Sequence, residues 1–247
     1  MKSRPVLALL HGWGMNARVF DALAEHLAED FELRALSLPG HGGRDALQHN
    51  TLQSWADDLA QQLPDQSTLL GWSLGGQVAM RAALDHPDKV SRLILLASTP
   101  AFVATADWQA GMASDDLEAF GKALIADQAA TLLRFLSLQT RGMPGQKTVL
   151  HALRQAFLSV PPEDAGALAS GLDMLHHTDL RAALPQLSQP TLVVHGALDT
   201  LTPPAAGAWL AATLPNASHV VFPRAAHAPH LSHGLEVAAA TRDFVHG

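Results

Sequence analysis

Residues 69–76 read LLGWSLGG, and they decide the fold. Two leucines that end an apolar run lead straight into Gly71-Trp72-Ser73-Leu74-Gly75-Gly76, and the helical pattern QVAMRAAL follows. The segment GWSLG fits G-x-S-x-G, with a strand before it and a helix after it, which is the setting that motif requires. A sharp strand-to-helix turn forces its central residue into a strained backbone conformation, and side chains at positions 71 and 75 would collide across it. Ser73 is then expected to stand exposed at the carboxyl edge of a sheet, beside the N-terminus of the next helix. A chance match in a glycine-rich loop is the alternative.

Working outward, short apolar runs alternate with helical patterns over the first hundred residues. VLALL (6–10), FELRALSL (31–38), STLLGW (67–72) and VSRLILLAS (90–98) read as strands. RVFDALAEHLAED (18–30), LQSWADDLAQQL (52–63) and the segment after Ser73 read as helices. Continuous apolar strands alternating with amphipathic helices predict a parallel sheet covered on both faces. The rhythm returns near the end, with strands at PTLVVHGALD (190–199) and SHVVF (218–222) and helices at PPAAGAWLAATL and GLEVAAATRDFV. Between 101 and 187 it breaks. That stretch reads as almost entirely helical, with a turn at RGMPGQ (141–146) and a Pro-Pro break at 161–162. The expected organisation is an α/β core over 1–100 and 188–247, with a helical lid inserted at 101–187.

Composition narrows the chemistry. A net charge of −7 argues against nucleic acid as the main partner. The chain has no cysteine, so a thiol nucleophile and thiolate metal sites are excluded. The apolar run near the start covers only Val6 to Leu10, too short for a signal peptide or a membrane span. A cytoplasmic monomer without membrane attachment is expected.

A serine hydroxyl is a weak nucleophile without a base, so a histidine and an orienting acid should follow it, in the chain order Ser, Asp, His. Asp199 closes the strand TLVVHGALD and would sit at the same sheet edge as Ser73. A turn-forming or helix-capping aspartate is the alternative. Fourteen histidines compete for the base. His227 lies in the loop between the last strand and the last helix, at a strand's carboxyl end, and is the first choice. His230 is the second, His195 reads as structural, and His176 and His177 fall in the lid. No histidine pair or carboxylate cluster has metal-ligand spacing, so neither a metal nor another cofactor is expected. After the first strand, HGWG (11–14) makes a tight turn. Backbone N–H groups of Trp13 and Leu74 would form an oxyanion hole facing Ser73, each such donor typically contributing about 3 kcal/mol to transition-state stabilisation.

With Ser73, Asp199, His227 and HGWG in place, the chain resembles the α/β-hydrolase superfamily along nearly its whole length. More closely, LLHGWGMNARVF, LGWSLGG, RFLSLQT and AAHAPHLSH resemble the carboxylesterases of biotin synthesis that cleave pimeloyl-acyl-carrier-protein methyl ester. The resemblance implies substrate contacts at Trp13, Ser73, Leu74, Phe135, Leu136, Ser137, Leu138, Gln139 and His227. It also implies an acidic carrier protein as partner, met by lid arginines. Arg134 matches one of these, while neighbouring positions carry Ala130, Lys147 and His151. The family's N-terminal hairpin is expected to be missing or shortened here.

The charge pattern bears on that partner. From Gln128 to Pro162 there is no acidic residue, yet Arg134, Arg141, Lys147 and Arg154 occur. If 146–158 is helical, Lys147, His151 and Arg154 share a face that would draw an acidic protein to the pocket mouth. A plain solvated helix face is the alternative. Three functions stay open from sequence: an esterase of a carrier-bound ester, a hydrolase of lactones, carbon–carbon bonds or short esters, and a ligand-binding protein on a hydrolase fold.

Overall fold

The computed structural model describes residues 4–160 and 164–247, so the Pro-Pro pair at 161–162 lies outside the described residues. Six strands form one sheet, β1 (Val6–Leu10), β2 (Glu32–Leu36), β3 (Ser67–Trp72), β4 (Val90–Leu96), β5 (Thr191–Gly196) and β6 (Ala217–Phe222). Their order is β2-β1-β3-β4-β5-β6, and every neighbouring pair is parallel. β1 lies one strand in from the β2 edge, and from β3 onward the chain crosses back and builds toward the other edge. All strand carboxyl ends therefore lie on one side.

Alternation along the central strands fills two apolar layers. Ala8, Leu10, Leu69, Leu93 and Leu95 face one core, with Trp55 and Leu59 from α2 (Leu52–Gln62) and Val78 from α3 (Leu74–Asp85). Leu7, Leu9, Leu70, Ile94 and Leu96 face the other, with Leu23 and Leu27 from α1 (Asp21–Leu27). Between β4 and β5 come α4 (Ser114–Ala126), α5 (Gln128–Leu138), α6 (Gln146–Leu158) and α7 (Ala165–His177). The C-terminal helices are α8 (Pro204–Thr213), the single turn α9 (Pro229–Ser232) and α10 (Gly234–His246), which packs Val237 and Ala238 onto the second core. No described helix is long and apolar enough to cross a membrane.

Three local readings need correction. Residues 101–113 hold no α-helix; single β-bridges join Val103 to Met112 and Thr105 to Trp108, and the Trp108 indole donates to the Ala101 carbonyl at 2.9 Å. The helical run from Asp115 to Gln139 is two helices, because Asp127 leaves helical geometry (φ −154°) and its carboxylate caps α5 by accepting from the Ala130 N–H. The first helix is shorter than 18–30: a 3-10 turn at Ala17–Phe20 precedes α1, which ends at Leu27.

Candidate active site

Ser73 sits between the last residue of β3 and the first of α3, with φ 56° and ψ −122°. A non-glycine residue in this region costs on the order of 1–3 kcal/mol and persists only where its surroundings over-determine it. Here the Ser73 N–H donates to the Leu96 carbonyl at 3.0 Å, and the Ser73 carbonyl accepts from the Gly76 N–H and the Ser98 hydroxyl, each at 2.9 Å. The glycines leave room for the turn. A Cβ on Gly71 would lie 2.5 Å from the Gly75 carbonyl oxygen, and one on Gly75 would lie 2.5 Å from that of Leu10. Neither neighbour can yield, since both are backbone.

Asp199 follows β5 and His227 follows β6, so both share the carboxyl edge with Ser73. The His227 Nδ1–H donates to Asp199 Oδ2 at 2.8 Å, and the two side chains are 2% and 0% exposed. Asp199 Oδ1 accepts from the N–H groups of Leu201 (2.9 Å) and Thr202 (3.0 Å). Burial alone would raise the Asp199 carboxyl, but the charge and hydrogen bond of His227 outweigh it and hold it below the usual carboxylate range. An ionised Asp199 accepting at Nδ1 fixes the tautomer, which leaves Nε2 as the basic nitrogen. The peptide groups of His227 are held on both sides: its N–H donates to the Gln139 carbonyl at 3.1 Å, and its carbonyl accepts from the Trp72 indole at 2.8 Å.

The other histidines are placed by burial. His195 lies inside β5, with Nε2 donating to the Thr202 carbonyl at 3.2 Å, and burial pushes its pKa down to about 4. His230 is buried between Phe20 and Trp72, without a hydrogen-bond partner among the described residues, and burial pushes it to about 3. His230 is therefore a neutral aromatic filler beside the pair. His176 meets the Ser114 hydroxyl at 3.1 Å, and His177 is exposed beside Asp173.

The HGWG turn lies against the serine: a Cβ on Gly12 would come within 2.9 Å of the Ser73 Cβ. Trp13 is buried, its indole N–H donating to the Leu168 carbonyl of α7 at 2.8 Å. Phe120 of α4 and Phe135 of α5 meet its ring edge-on, at 5.5 and 5.1 Å. Three inserted helices thus converge on one residue of the turn. Beside it opens a cavity of about 410 Å³, lined by Trp13, Phe120, Phe135, Leu138, Leu172 and Leu201 among others, with Thr131, Asp116, Arg134 and Arg141 as polar neighbours.

The segment 135–139 divides. Phe135 and Leu138 line the cavity, whereas Leu136 is fully buried in the second core and does not. The Ser137 hydroxyl donates back to the Leu133 carbonyl. Gln139 is buried, with its side-chain amide unpaired among the described residues. Arg134 and Arg141 line the cavity, while Lys147 and Arg154 are exposed on α6; none of the four forms an ion pair among the described residues. Sequence reasoning missed Thr202, whose hydroxyl lies 2.7 Å from Asp199 Oδ2, and Ser98 behind the serine. A threonine three residues after an aspartate in a turn was the available signal for the first.

Comparison with known proteins identifies the family of this fold. The profile of the α/β-hydrolase fold matches residues 5–234. The chain belongs to the α/β-hydrolase family. A pimeloyl-[acyl-carrier protein] methyl ester esterase from Aromatoleum aromaticum is 43% identical over 99% of this chain and 100% of its own length. One from Nitrosomonas europaea is 44% identical over 92% of this chain and 90% of its own. Among solved structures, an esterase from Exiguobacterium antarcticum superimposes with a TM-score of 0.89 at 23% identity, covering 100% of this chain and 94% of that one, which shows the shared hydrolase fold. A hydrolase from Pseudomonas aeruginosa gives 0.82 at 26% identity, covering 99% and 91%.

Proposed function

We propose that this α/β-hydrolase is a serine carboxylesterase that cleaves the methyl ester of a pimeloyl group borne on acyl-carrier protein, a cytoplasmic step of biotin synthesis. The buried Asp199–His227 pair at the same sheet edge as a strained Ser73 carries the chemical part of this reading. The names of relatives more than 40% identical over nearly the whole chain support the substrate.

In this reading His227 Nε2 takes the Ser73 proton as Oγ attacks the ester carbonyl. The oxyanion is held by the N–H groups of Trp13 and Leu74. Collapse expels methanol, protonated by His227, and leaves pimeloyl bound to Ser73. Water, deprotonated by His227, then attacks that acyl-enzyme, releasing the carboxylate and restoring Ser73. Residues 101–187 act as the lid. Phe135 and Leu138 flank the acyl chain, each buried methylene contributing about 0.8 kcal/mol. Gln139, whose backbone carbonyl accepts from the His227 N–H, offers a buried side-chain amide near the pocket. Arg134, Arg141, Lys147 and Arg154 receive the acidic carrier protein.

The test is hydrolysis of pimeloyl-carrier-protein methyl ester by the purified protein, followed by methanol release, with rescue of a biotin auxotroph alongside. Ser73→Ala should lose at least about a thousandfold in turnover, because only binding and the oxyanion donors remain. A fluorophosphonate should label Ser73. Labelling of another serine would refute the nucleophile, and turnover of small esters without the carrier-bound ester would refute the substrate.

A further inference from the structure

Asp199 Oδ2 accepts from two side chains, the His227 Nδ1–H at 2.8 Å and the Thr202 hydroxyl at 2.7 Å. Thr202 is completely buried, and its oxygen also lies 3.3 Å from His227 Nδ1. The hydroxyl has one proton and two acceptors within reach, Asp199 Oδ2 and the Ala97 carbonyl at 3.0 Å. The carboxylate is nearer and charged, so it takes the proton, and the carbonyl has a secondary share. Without that donation two oxygens would face each other at 2.7 Å across a dry interior, which is strongly unfavourable.

The threonine is itself held at three points. Its N–H donates to Asp199 Oδ1 and its carbonyl accepts from His195 Nε2, the one hydrogen bond that His195's ring makes among the described residues. Its hydroxyl meets the carbonyl of Ala97, a non-glycine residue at φ 45° that directly follows β4. A conformation this costly at a loop entrance, aimed at a buried hydroxyl, is the signature of a fixed geometry. Two backbone N–H groups fix Oδ1, whereas the Thr202 hydroxyl is the one donor besides His227 that reaches Oδ2 among the described residues, and it approaches beside the imidazole.

We propose that Thr202 is a positioning residue for the Asp199–His227 pair, its hydroxyl setting the carboxylate rotation and the direction in which Oδ2 meets His227 Nδ1. This rests on the triad reading above. Thr202 touches neither substrate nor Ser73 in this role; it acts through Asp199. A valine there keeps the shape and removes the donor, leaving a buried carboxylate oxygen with one partner fewer.

The experiment compares Thr202→Val, Thr202→Ser and Asp199→Asn on p-nitrophenyl butyrate, with thermal melts and the downfield proton NMR signal of His227 Nδ1–H. Thr202→Val should lower kcat about tenfold, the usual worth of one hydrogen bond to a charged group, with KM within about twofold. The downfield signal should shift or broaden, and Thr202→Ser should restore both. Wild-type kcat and an unmoved signal in Thr202→Val would overturn the proposal. So would a folded Thr202→Ser as impaired as Thr202→Val, since the methyl group would then be the cause. If Thr202→Val does not fold, Thr202→Ala against Thr202→Ser makes the same comparison. Full activity in Asp199→Asn would instead overturn the triad reading itself.

Discussion

Gly171→Ala is the most informative single substitution, because it presses the inserted helices onto the HGWG turn, the proposed source of an oxyanion donor. Gly171 lies within α7 and faces Trp13; a Cβ there would stand 2.6 Å from the indole Cδ1, 3.0 Å from Nε1 and 3.5 Å from a Leu74 methyl. Carbon atoms prefer separations of about 3.5–4.0 Å, so the helix or the indole must retreat by roughly 1 Å. The indole has little freedom, since its N–H is bonded to the Leu168 carbonyl and Phe120 and Phe135 hold its ring edge-on. Overpacking of this kind costs about 1–3 kcal/mol, while alanine in place of a mid-helix glycine returns about 1 kcal/mol. The net loss of stability is therefore small, a fall in Tm of a few degrees. The kinetic effect is larger. Displacing the Trp13 backbone N–H, the proposed oxyanion donor, by about 1 Å should lower kcat roughly ten- to a hundredfold, with KM little changed. Fluorophosphonate titration of active sites, followed by turnover of p-nitrophenyl butyrate per titrated site, separates lost catalysis from lost folding. Unchanged kcat with a raised Tm would show that α7 yields freely, and the proposed coupling of the inserted helices to the HGWG turn would be refuted.

Two further outcomes follow from charge. His11, His41, His195 and His230 are buried and neutral, with burial the leading cause that pushes them to about 3, 4, 4 and 3 from an ordinary 6.5. Above pH 6.5 both folded and unfolded chains hold them neutral, whereas below it only the unfolded chain takes up protons. Stability is thus lost as pH falls from about 6.5 toward 4, each group contributing up to about 1.4 kcal/mol per pH unit. Thermal melts at pH 7.5 and 5.0 should differ by ten degrees or more, and His230→Leu, which gives up no hydrogen bond to a described residue, should narrow the gap; equal melts would show that these histidines titrate normally. Reversing charge with Lys147→Glu and Arg154→Glu should weaken hydrolysis of the carrier-bound ester, leave p-nitrophenyl butyrate turnover intact, and be mimicked by salt, since exposed pairs are screened within about 10 Å at 0.1 M. Equal loss on both substrates would mean damage to the fold, and no loss on either would mark α6 as plain solvated surface.

The central strands were the most legible, because β1, β3 and β5 are short, largely apolar runs, as parallel strands buried on both faces must be, whereas the edge strands β2 and β6 carry Glu32, Arg34 and His219 and are partly exposed. The placement of Ser73 and His227 at one sheet edge was legible for a related reason: Ser73 directly follows β3, and His227 lies in the loop after β6, so both fall at strand carboxyl ends. The inserted helices were harder. In α5, Thr131, Phe135 and Leu138 (i, i+4, i+7) line the cavity, while Leu132 and Leu136 pack inward. Both faces are apolar, so the 3.6-residue period gives two stripes without saying which meets the cavity. Residues 101–113 misled because alanine and methionine favour a helix, whereas the reciprocal Thr105–Trp108 hydrogen bonds and the Trp108 indole bond set a bridged loop. Those are tertiary contacts that no local preference reports.

The two strained positions show how the site is braced. Ser73 and Ala97 directly follow the paired strand ends Trp72 and Leu96, at φ 56° and 45°. Each N–H is claimed by the neighbouring strand, Ser73 by the Leu96 carbonyl of β4 and Ala97 by the Val194 carbonyl of β5, so the ladder continues one residue past the point where the backbone turns. The next residue then ties the two turns together, as the Ser98 hydroxyl donates to the Ser73 carbonyl while the Ala97 carbonyl meets Thr202. Strain of a few kcal/mol is offset here by the buried central strands of the sheet, which the inserted helices do not supply. The insertion supplies the aromatic wall and one bond to Trp13. Substitutions that reshape the cavity at Phe120 or Phe135 therefore act on substrate fit while the braced edge of the sheet keeps Ser73, Asp199 and His227 in register.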